Sequence, residues 1–392
     1  MRPKVCFVVQ RYGLEVNGGA EQHCRSIAEH MLRYCDVDVL TTKAIDYTTW
    51  EDAYEADQEE INGVMVRRFG VEKPRVKEDF DTINYKFFVN ATFDAVDEQA
   101  WIDKQGPLVP NLIDYIRAHQ KDYDAFVFFT YLYYPTVMGV PVVRNKAIVV
   151  PDAHDEPFLR MKIFDHAFRL PKALFFNTFD EERLVHKKYY NHYIRCKVGG
   201  AGVEMPEKVD GAAFKEKYGL DRYIVYVGRI DEGKNCPQLF EDFIAFKKAH
   251  PSDLKLVLMG KEVVPVPQHP DIVSLGFVSE EDKFNGIAGA ALLVLPSRFE
   301  SLSIVVLEAF SLDIPVLVNG ECQVLKSHCQ ISDGGFYYEG SEEFDAMLSY
   351  MLDHPEEMAQ MGRNGHAYVD KYYQWDVVID KLYGLIRYVS GK

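Results

Sequence analysis

The sequence predicts an α/β protein of two domains, each with a mostly parallel sheet covered by helices. The chain has 392 residues, which is too long for a single core. Short β-branched runs alternate with helical patterns along its length, as parallel sheets require. The glycine-rich segment 199–206 interrupts this alternation and indicates an interdomain linker.

The first half is predicted to contain seven strands and four helices. The strands are Val5–Gln10, Asp38–Thr41, Val64–Phe69, Ala125–Thr130, Ala147–Val150, Ala173–Asn177 and Cys196–Val198. The helices are Ala20–Arg33, Val109–Ala118, Glu156–Phe168 and Asp180–Tyr190. The stretch from Thr42 to about Phe93 is acidic and aromatic, and apart from its one strand we expect an irregular insertion over the mouth of a site.

The second half repeats the pattern after the linker. Its predicted strands are Tyr223–Val227, Leu254–Met259, Ile272–Leu275, Leu292–Leu295, Pro315–Val318 and Gly335–Tyr338, with helices between them. A last helix over about 376–389 follows the aromatic run Tyr372–Trp375. That aromatic lead-in suggests packing across the domain boundary.

Composition excludes several classes of protein. A net charge of −16 argues against nucleic acid as a partner and disfavours loose adhesion to an anionic membrane. Seven cysteines without a Cys-x-x-Cys spacing indicate reduced thiols, and so a cytoplasmic protein. No apolar run reaches the roughly 18 residues that a membrane span needs.

The pair Glu300 and Glu308 is the most informative feature. A buried-looking strand ends at Pro296, and Ser301 or Ser303 is placed to cap a helix. The amides of Ser301, Leu302 and Ser303 would then form an anion site, because a helix start carries partial positive charge. A carboxylate beside that site and another behind it can bind the hydroxyls of two sugar rings that flank a diphosphate.

Three further segments carry candidate chemistry. Arg229 and Lys234 lie five residues apart on a loop after a strand, where two cations can neutralise a diphosphate without metal; a surface ion pair with Asp231 or Glu232 is the alternative. Gly18 and Gly19 open a helix and allow the backbone to approach a ligand, although a structural turn is the alternative. His154 follows a strand and can orient an acceptor hydroxyl or contact the transferred sugar; a capped helix start with an incidental histidine is the alternative.

Other patterns are expected to be structural. Asp36-Val-Asp38 has the Asp-x-Asp form of metal-using sugar transferases, but it enters a strand with alternating valines. Asp152, His154 and Asp155 have no evident partner cluster, so no metal is expected. The basic segment 183–197 is either a solvated helix end or a surface for a lipid headgroup or anionic acceptor.

Taken together, these motifs resemble family 4 of the retaining glycosyltransferases, which have the GT-B fold. The resemblance covers nearly the whole chain. It implies two Rossmann-like domains facing each other across a cleft: an acceptor domain over 1–200, joined by a returning helix over about 376–392, and a nucleotide-sugar donor domain over 203–375.

The resemblance also implies a role for each motif residue. Arg229 and Lys234 would bind the donor diphosphate, which Gly18 and Gly19 would approach from the other domain. Glu300 and the amides of residues 301–303 would hold the transferred sugar, and Glu308 would bind the ribose hydroxyls.

One departure concerns a histidine that many family members carry after the strand matching Ala125–Phe129. This chain has Thr130 and Tyr131 there. Either of these residues fills the place, or His154 after the next strand substitutes.

The expected activity is transfer of a hexose from a UDP- or GDP-sugar to a hydroxyl of a glycan or lipid-linked acceptor, with retention and without a cofactor. The setting is surface polysaccharide or glycoconjugate assembly, in the cytoplasm or at the inner face of the membrane. Two alternatives stay open: a GT-B isomerase or epimerase of nucleotide sugars, and a non-catalytic sugar-nucleotide-binding partner. The sequence does not identify the base or the sugar of the donor, the acceptor, or the oligomeric state.

Overall fold

A computed structural model describes residues 2–16, 18–90 and 94–392. The chain forms two compact units. The first comprises Met1–Ala201 together with Val378–Lys392, and the second comprises Gly202–Val377. The division falls inside the glycine-rich segment, where small residues give the backbone freedom to change direction.

The first unit is built on an eight-stranded sheet in the order β3-β4-β2-β1-β5-β6-β7-β8. Every neighbouring pair is parallel except the hairpin β3–β4. Helices cover both faces, so the central strands β5 (Ala125–Phe129) and β6 (Ala147–Val150) are apolar throughout and buried. The strands are β1 (Lys4–Val8), β2 (Asp36–Thr42), β3 (Gln58–Ile61), β4 (Val64–Phe69), β5 (Ala125–Phe129), β6 (Ala147–Val150), β7 (Ala173–Phe176) and β8 (Arg195–Val198).

Seven α-helices accompany this sheet in the described part of the first unit. They are α1 (Gly19–Met31), α2 (Lys77–Asn90), α3 (Ala95–Gln105), α4 (Pro110–His119), α5 (Tyr134–Val143), α6 (Asp165–Arg169) and α7 (Phe179–Tyr189). The expectation of an irregular insertion over 42–93 is wrong where it is described, because β3 and α2 lie within it. The predicted helix over 156–168 is also wrong, since two 3-10 turns, Pro157–Arg160 and Lys162–Phe164, precede the short α6.

The second unit has an entirely parallel six-stranded sheet in the order β11-β10-β9-β12-β13-β14. Its strands are β9 (Tyr223–Val227), β10 (Lys255–Met259), β11 (Ile272–Ser274), β12 (Leu293–Leu295), β13 (Val316–Asn319) and β14 (Gly335–Tyr338). Its helices are α8 (Gly211–Tyr218), α9 (Cys236–Ala249), α10 (Glu280–Ala288), α11 (Ile304–Ser311), α12 (Gln323–Ser332), α13 (Ser341–Asp353) and α14 (Pro355–Tyr372).

The last helix, α15 (Trp375–Ser390), begins in the second unit and continues in the first from Val378 onward. Within the first unit, its Tyr383 ring packs 5.1 Å from the Tyr34 ring. The following Lys392 donates from Nζ to Asp124 Oδ2 at 2.9 Å. These contacts tie the C-terminal segment to the sheet of the first unit.

The Asp-x-Asp segment is structural, as expected. Asp38 lies in β2, is almost fully buried and accepts a hydrogen bond from the Tyr123 hydroxyl at 2.7 Å. Its carboxylate also pairs with Lys4 at 3.3 Å. Within the described residues, no helix combines the length and apolar character needed to cross a bilayer.

Candidate functional site

In the second unit, the candidate donor residues lie where the order of the sheet reverses. The chain builds β9, β10 and β11 in one direction and then returns to place β12 on the other side of β9. Loops that leave the carboxyl ends of two such strands diverge, and ligands of open α/β sheets bind in the resulting crevice. The Arg229–Lys234 segment follows β9, and the Pro296–Ser303 segment follows β12.

The structure joins these two loops directly. Lys234 Nζ donates to Glu300 Oε1 at 2.7 Å, although the two residues are 66 positions apart. The side chains are 30% and 13% exposed, so the ion pair is accessible from one side only. Sequence reasoning assigned both residues to one ligand, and the structure places them in hydrogen-bond contact.

Arg229 is held by a residue that the sequence offered only as an alternative partner. Its Nε donates to Asp231 Oδ2, and Asp231 Oδ1 accepts the Lys234 amide at 2.8 Å. The Asp231 carboxylate therefore links the two ends of the Arg229–Lys234 loop. Arg229 itself stays half exposed, which leaves room for its guanidinium to contact an anion.

Two glycines let the loops after β9 and β10 approach closely. Gly260 has φ +157°, and a Cβ placed there would lie 1.8 Å from the Gly228 carbonyl oxygen. Gly228 has φ +149°. A side chain at Gly260 would push the two strand ends apart, and the positive φ of Gly228 favours glycine there as well.

The start of α11 differs from the expectation. The helix begins at Ile304, so Ser301 and Leu302 precede it, and the Ser303 side chain makes no capping hydrogen bond. Ser303 is instead left-handed at φ +62°, and its buried Oγ has no hydrogen-bond partner among the described residues. A strained, buried hydroxyl at a helix N-terminus is the kind of feature that a bound ligand compensates.

Glu308 lies only about one turn into α11, because that helix begins late. It is buried and accepts a hydrogen bond from Lys283 Nζ of α10 at 2.9 Å. Burial raises the pKa of the Glu308 carboxyl, and Lys283 offsets part of that rise. Burial lowers the pKa of Lys283, but Glu308 and Glu280 raise it more, so the ammonium keeps its charge.

Lys283 was missed at the sequence level. Only the Glu280-x-x-Lys spacing on one helix face hinted at it, and that spacing is typical of solvated helices. The link to Glu308 spans 25 residues and two helices, so no local pattern reveals it.

In the first unit, the glycine turn also lies at a reversal of strand order, between β1 and β5. A Cβ on Gly18 would lie 2.1 Å from Glu21 Oε2, so the absence of a side chain there makes room for the buried Arg11–Glu21 ion pair. Gly19 faces open space, with no atom within 4 Å of an added Cβ. Packing against Glu21 therefore explains why residue 18 is glycine. Of the two glycines, only Gly19 leaves open space beside the backbone.

The three candidates for the missing histidine differ in exposure. Tyr131 is 1% exposed, packs on Phe164 and Phe168, and donates from its hydroxyl to Glu156. Thr130 is buried and left-handed at φ +55°. His154 is 34% exposed, with Nε2 3.5 Å from Glu156 Oε2. Only His154 presents a substantial polar surface to solvent.

Asp152 adds a polar group that the sequence did not assign a role. Its backbone is left-handed at φ +52°, and Oδ1 accepts from Asn177 Nδ2 at 2.7 Å. Its buried Oδ2 has no hydrogen-bond partner in the described part of the chain. The imidazole of His23 lies 3.7 Å from Oδ1.

Comparison with known proteins relates the chain to glycosyltransferases. Residues 212–368, which cover most of the second unit, match the family model described as "Glycosyl transferases group 1". Along the chain, the structure of a sucrose-phosphate synthase from Thermosynechococcus elongatus is similar with a TM-score of 0.71, 14% identity and full coverage of both chains. An Anabaena HepE structure in complex with UDP-glucose is similar with a TM-score of 0.70 and 15% identity, covering 98% of this chain and 100% of that one.

The fold is GT-B. The likeness to both structures extends over nearly the entire chain, and each unit has the Rossmann-like parallel sheet that the sequence predicted. Among relatives by sequence, an alpha-D-kanosaminyltransferase from Streptomyces kanamyceticus is 29% identical over 199 residues. That match spans 46% of this chain and about half, 49%, of the relative.

Proposed function

We propose that this protein is a retaining glycosyltransferase similar to family 4, which transfers a hexose from a nucleoside diphosphate sugar to an acceptor hydroxyl. The observation that carries the proposal is the Lys234–Glu300 contact at the strand-order reversal of the second unit. A cation for phosphate and a carboxylate for sugar hydroxyls lie within hydrogen-bond distance there. The group 1 family match over residues 212–368 supports the same reading.

The donor would be bound mainly by the second unit. Arg229 and Lys234 would bind the diphosphate, with Lys234 turning part of its hydrogen bonding from Glu300 to a phosphate oxygen. Glu300 and the amides of residues 301–303 would hold the transferred sugar. Glu308, kept beside Lys283, would accept hydrogen bonds from the ribose.

The chemistry that fits these residues is a front-face displacement. The bond between the sugar C1 and the departing phosphate oxygen breaks, the acceptor oxygen bonds to C1 on the same face, and the hydroxyl proton passes to the departing oxygen. Arg229 and Lys234 would stabilise the negative charge that develops on the diphosphate. Glu300 Oε1 is already engaged by Lys234, which favours a sugar-binding role over a nucleophilic one.

The first unit would contribute the acceptor side of the reaction. We propose Gly19 and Gly18 as backbone contacts to the donor, and His154 as the side chain that replaces the family histidine. His154 is favoured over Tyr131 because the Tyr131 ring is packed into the core. Thr130 remains the matched alternative at the end of β5.

A UDP- or GDP-sugar is the proposed donor, and a glycan or lipid-linked hydroxyl in surface polysaccharide or glycoconjugate assembly is the proposed acceptor. The similar HepE structure contains UDP-glucose, which supports a nucleoside diphosphate sugar. The proposed setting is the cytoplasm or the inner face of the membrane. No cofactor or metal is proposed for the transfer itself.

A thermal-shift panel of nucleotide sugars tests the donor assignment. A ligand that binds only the native protein raises its stability by RT ln(1 + [L]/Kd), so the cognate donor should raise the melting temperature more than its competitors. Glu308→Gln and Lys234→Met should reduce that shift. Incubation of the cognate donor without acceptor then separates the alternatives, because an isomerase or epimerase would yield a new nucleotide sugar, and a non-catalytic partner would return the donor unchanged even with acceptor present.

A further inference from the structure

The basic segment 183–197 and the residue before it contain a cluster that the proposed glycosyl transfer does not use. Glu182 and His186 lie four residues apart on α7 and therefore share one helix face. Cys196 lies on β8, the edge strand of the first sheet, directly beside them. Among the described residues, these three form a compact group of atoms able to bind a metal ion.

The separations within the cluster fit a single cation. Cys196 Sγ is 3.1 Å from Glu182 Oε1 and 3.7 Å from His186 Nε2, and the latter two atoms are 3.8 Å apart. A tetrahedral Zn²⁺ with ligand distances of about 2.0–2.3 Å requires separations of about 3.3–3.6 Å between its ligand atoms. Small side-chain rotations would bring all three atoms to that spacing.

The tautomer of His186 is fixed by its other ring nitrogen. Asn191 is fully buried, and its Nδ2 donates to the Phe168 carbonyl at 2.6 Å. Its Oδ1 must therefore accept from His186 Nδ1, which lies 2.7 Å away. The neutral ring then carries its proton on Nδ1 and turns the Nε2 lone pair toward Cys196 and Glu182. Metal-binding histidines are commonly oriented by such a second hydrogen bond.

The cluster is open on one side. Each of its three atoms, the Glu182 oxygen, Nε2 of His186 and the Cys196 sulfur, can offer a lone pair to a cation. The Glu182 side chain is 26% exposed and that of His186 9%, so an ion could enter from solvent and keep a water as fourth ligand. Thiolate and imidazole ligands together favour zinc over magnesium or calcium.

We propose that Glu182, His186 and Cys196 form a Zn²⁺ site that fastens α7 to the edge strand β8 of the first unit. Binding would release the Cys196 thiol proton and replace the thiol hydrogen bond with three metal–ligand bonds. This site departs from the expectation that the chain holds no metal, and it does not depend on the proposed transfer reaction. Its expected role is to stabilise the end of the sheet, where β8 leads into the linker.

The test uses the full chain after treatment with EDTA and dialysis. Titration with Co²⁺ should give a cobalt–thiolate charge-transfer band that saturates at about one ion per chain. Zn²⁺ at a hundredfold excess over its Kd should raise the melting temperature by about 3 °C. Cys196→Ser should abolish the band, and both Cys196→Ser and Glu182→Gln should weaken Zn²⁺ binding by about 10- to 100-fold.

His119→Gln supplies the matched control. His119 lies beside Asp122 at 2.8 Å on the surface of the same unit, but without a thiol, and its loss should leave the cobalt band and Zn²⁺ affinity unchanged. The proposal is overturned if no thiolate band forms, if Cys196→Ser binds Zn²⁺ as tightly as the parent chain, or if His119→Gln loses the site. Should Cys196→Ser fail to fold by circular dichroism, Glu182→Gln decides: weaker Zn²⁺ binding with the band retained supports the site, and unchanged affinity refutes it.

Discussion

Replacing Lys234 with methionine removes the cation that the structure places beside Glu300 while preserving the length of the side chain. A hydrogen bond to a charged group contributes about 1.5–3 kcal/mol, and a donor aimed at developing charge typically contributes about 10²- to 10³-fold in rate. We therefore expect kcat/KM to fall by about 100-fold, which corresponds to about 2.7 kcal/mol of transition-state stabilisation. The kcat/KM of the parent and of Lys234→Met is measured from initial rates at several concentrations of the donor that the thermal-shift panel identifies.

The effect on stability should be much smaller. The Lys234–Glu300 pair is partly exposed, and such pairs contribute about 0–1 kcal/mol. The melting temperature should therefore drop by no more than about 4 °C. A large loss of rate with a small loss of stability is the combination that distinguishes a donor contact from a structural ion pair.

Lys326→Met is the matched control. Lys326 pairs with Glu339 at 2.9 Å in the same unit, and its side chain is 25% exposed, close to the value for Lys234. Its loss should change kcat/KM by less than about threefold. The proposed contact of Lys234 with the donor is refuted if Lys234→Met keeps at least a third of the parent kcat/KM, or if Lys326→Met loses as much rate as Lys234→Met.

Four further outcomes are expected. Glu308→Gln should mainly raise the donor KM, whereas Glu300→Gln should mainly lower kcat, because ribose contacts hold ground and transition states alike and sugar contacts do not. His154→Ala should lower activity by more than about tenfold with donor binding near normal, and Thr130→Val should have little effect. Lys283→Met should raise the pKa of Glu308 further, so the stability of this variant, compared with the parent, should fall as pH rises above about 4.5. Transfer should persist in EDTA at temperatures well below melting, because the role proposed for Arg229 and Lys234 is to neutralise the diphosphate without a metal ion.

The direction of the pH effect depends on whether the folded or the unfolded state binds the proton of the Glu308 carboxyl more tightly. Burial raises the pKa of Glu308 in the folded state, so the fold favours the protonated carboxyl. The stabilisation that Glu308 contributes is present at pH values below 4.5, the pKa of this carboxyl in the unfolded chain. It is lost as the pH rises through the higher pKa of the carboxyl in the folded state. Urea unfolding of both proteins between about pH 4 and 8 would measure the difference, and parallel curves would contradict the role given to Lys283.

The predictions for the two glutamates, for His154 and for EDTA can each be contradicted by a specific result. A larger KM effect in Glu300→Gln than in Glu308→Gln would reverse the assigned roles. Full activity in His154→Ala, with a defect in Thr130→Val or Tyr131→Phe, would return the contact to the end of β5. Loss of activity in EDTA that a divalent ion restores, while the protein stays folded, would contradict the metal-free transfer.

Much of the fold followed from the sequence because parallel strands buried on both faces are continuous apolar runs. Ala125–Phe129 and Tyr223–Val227 are such runs, and the structure has strands there. The helix α5 could not be foreseen, since Gly139 and Pro141 in its interior oppose helix formation locally. Packing overrides that preference, because most of α5 is buried.

Two of the candidate site residues could be assigned to one edge of the sheet from the sequence for a similar reason. Glu300 and Lys234 each follow a strand, and the ends of parallel strands share one edge of the sheet. Contacts between different helices were not visible: Glu308 reaches Lys283 through a geometry that no sequence spacing encodes. The left-handed backbone of Ser303 was hidden as well, because non-glycine residues rarely adopt it and serine suggested an ordinary cap.

The most direct test of the central claim is the stereochemistry of the product by NMR. The protein is incubated with the donor selected by thermal shift and an acceptor bearing a free hydroxyl, and the anomeric coupling of the new glycosidic bond is compared with that of the donor. The proposed reaction predicts release of the nucleoside diphosphate together with a glycoside of the same anomeric configuration, both greatly reduced in Lys234→Met. An inverted product, or a rearranged nucleotide sugar formed without release of the diphosphate, would contradict it.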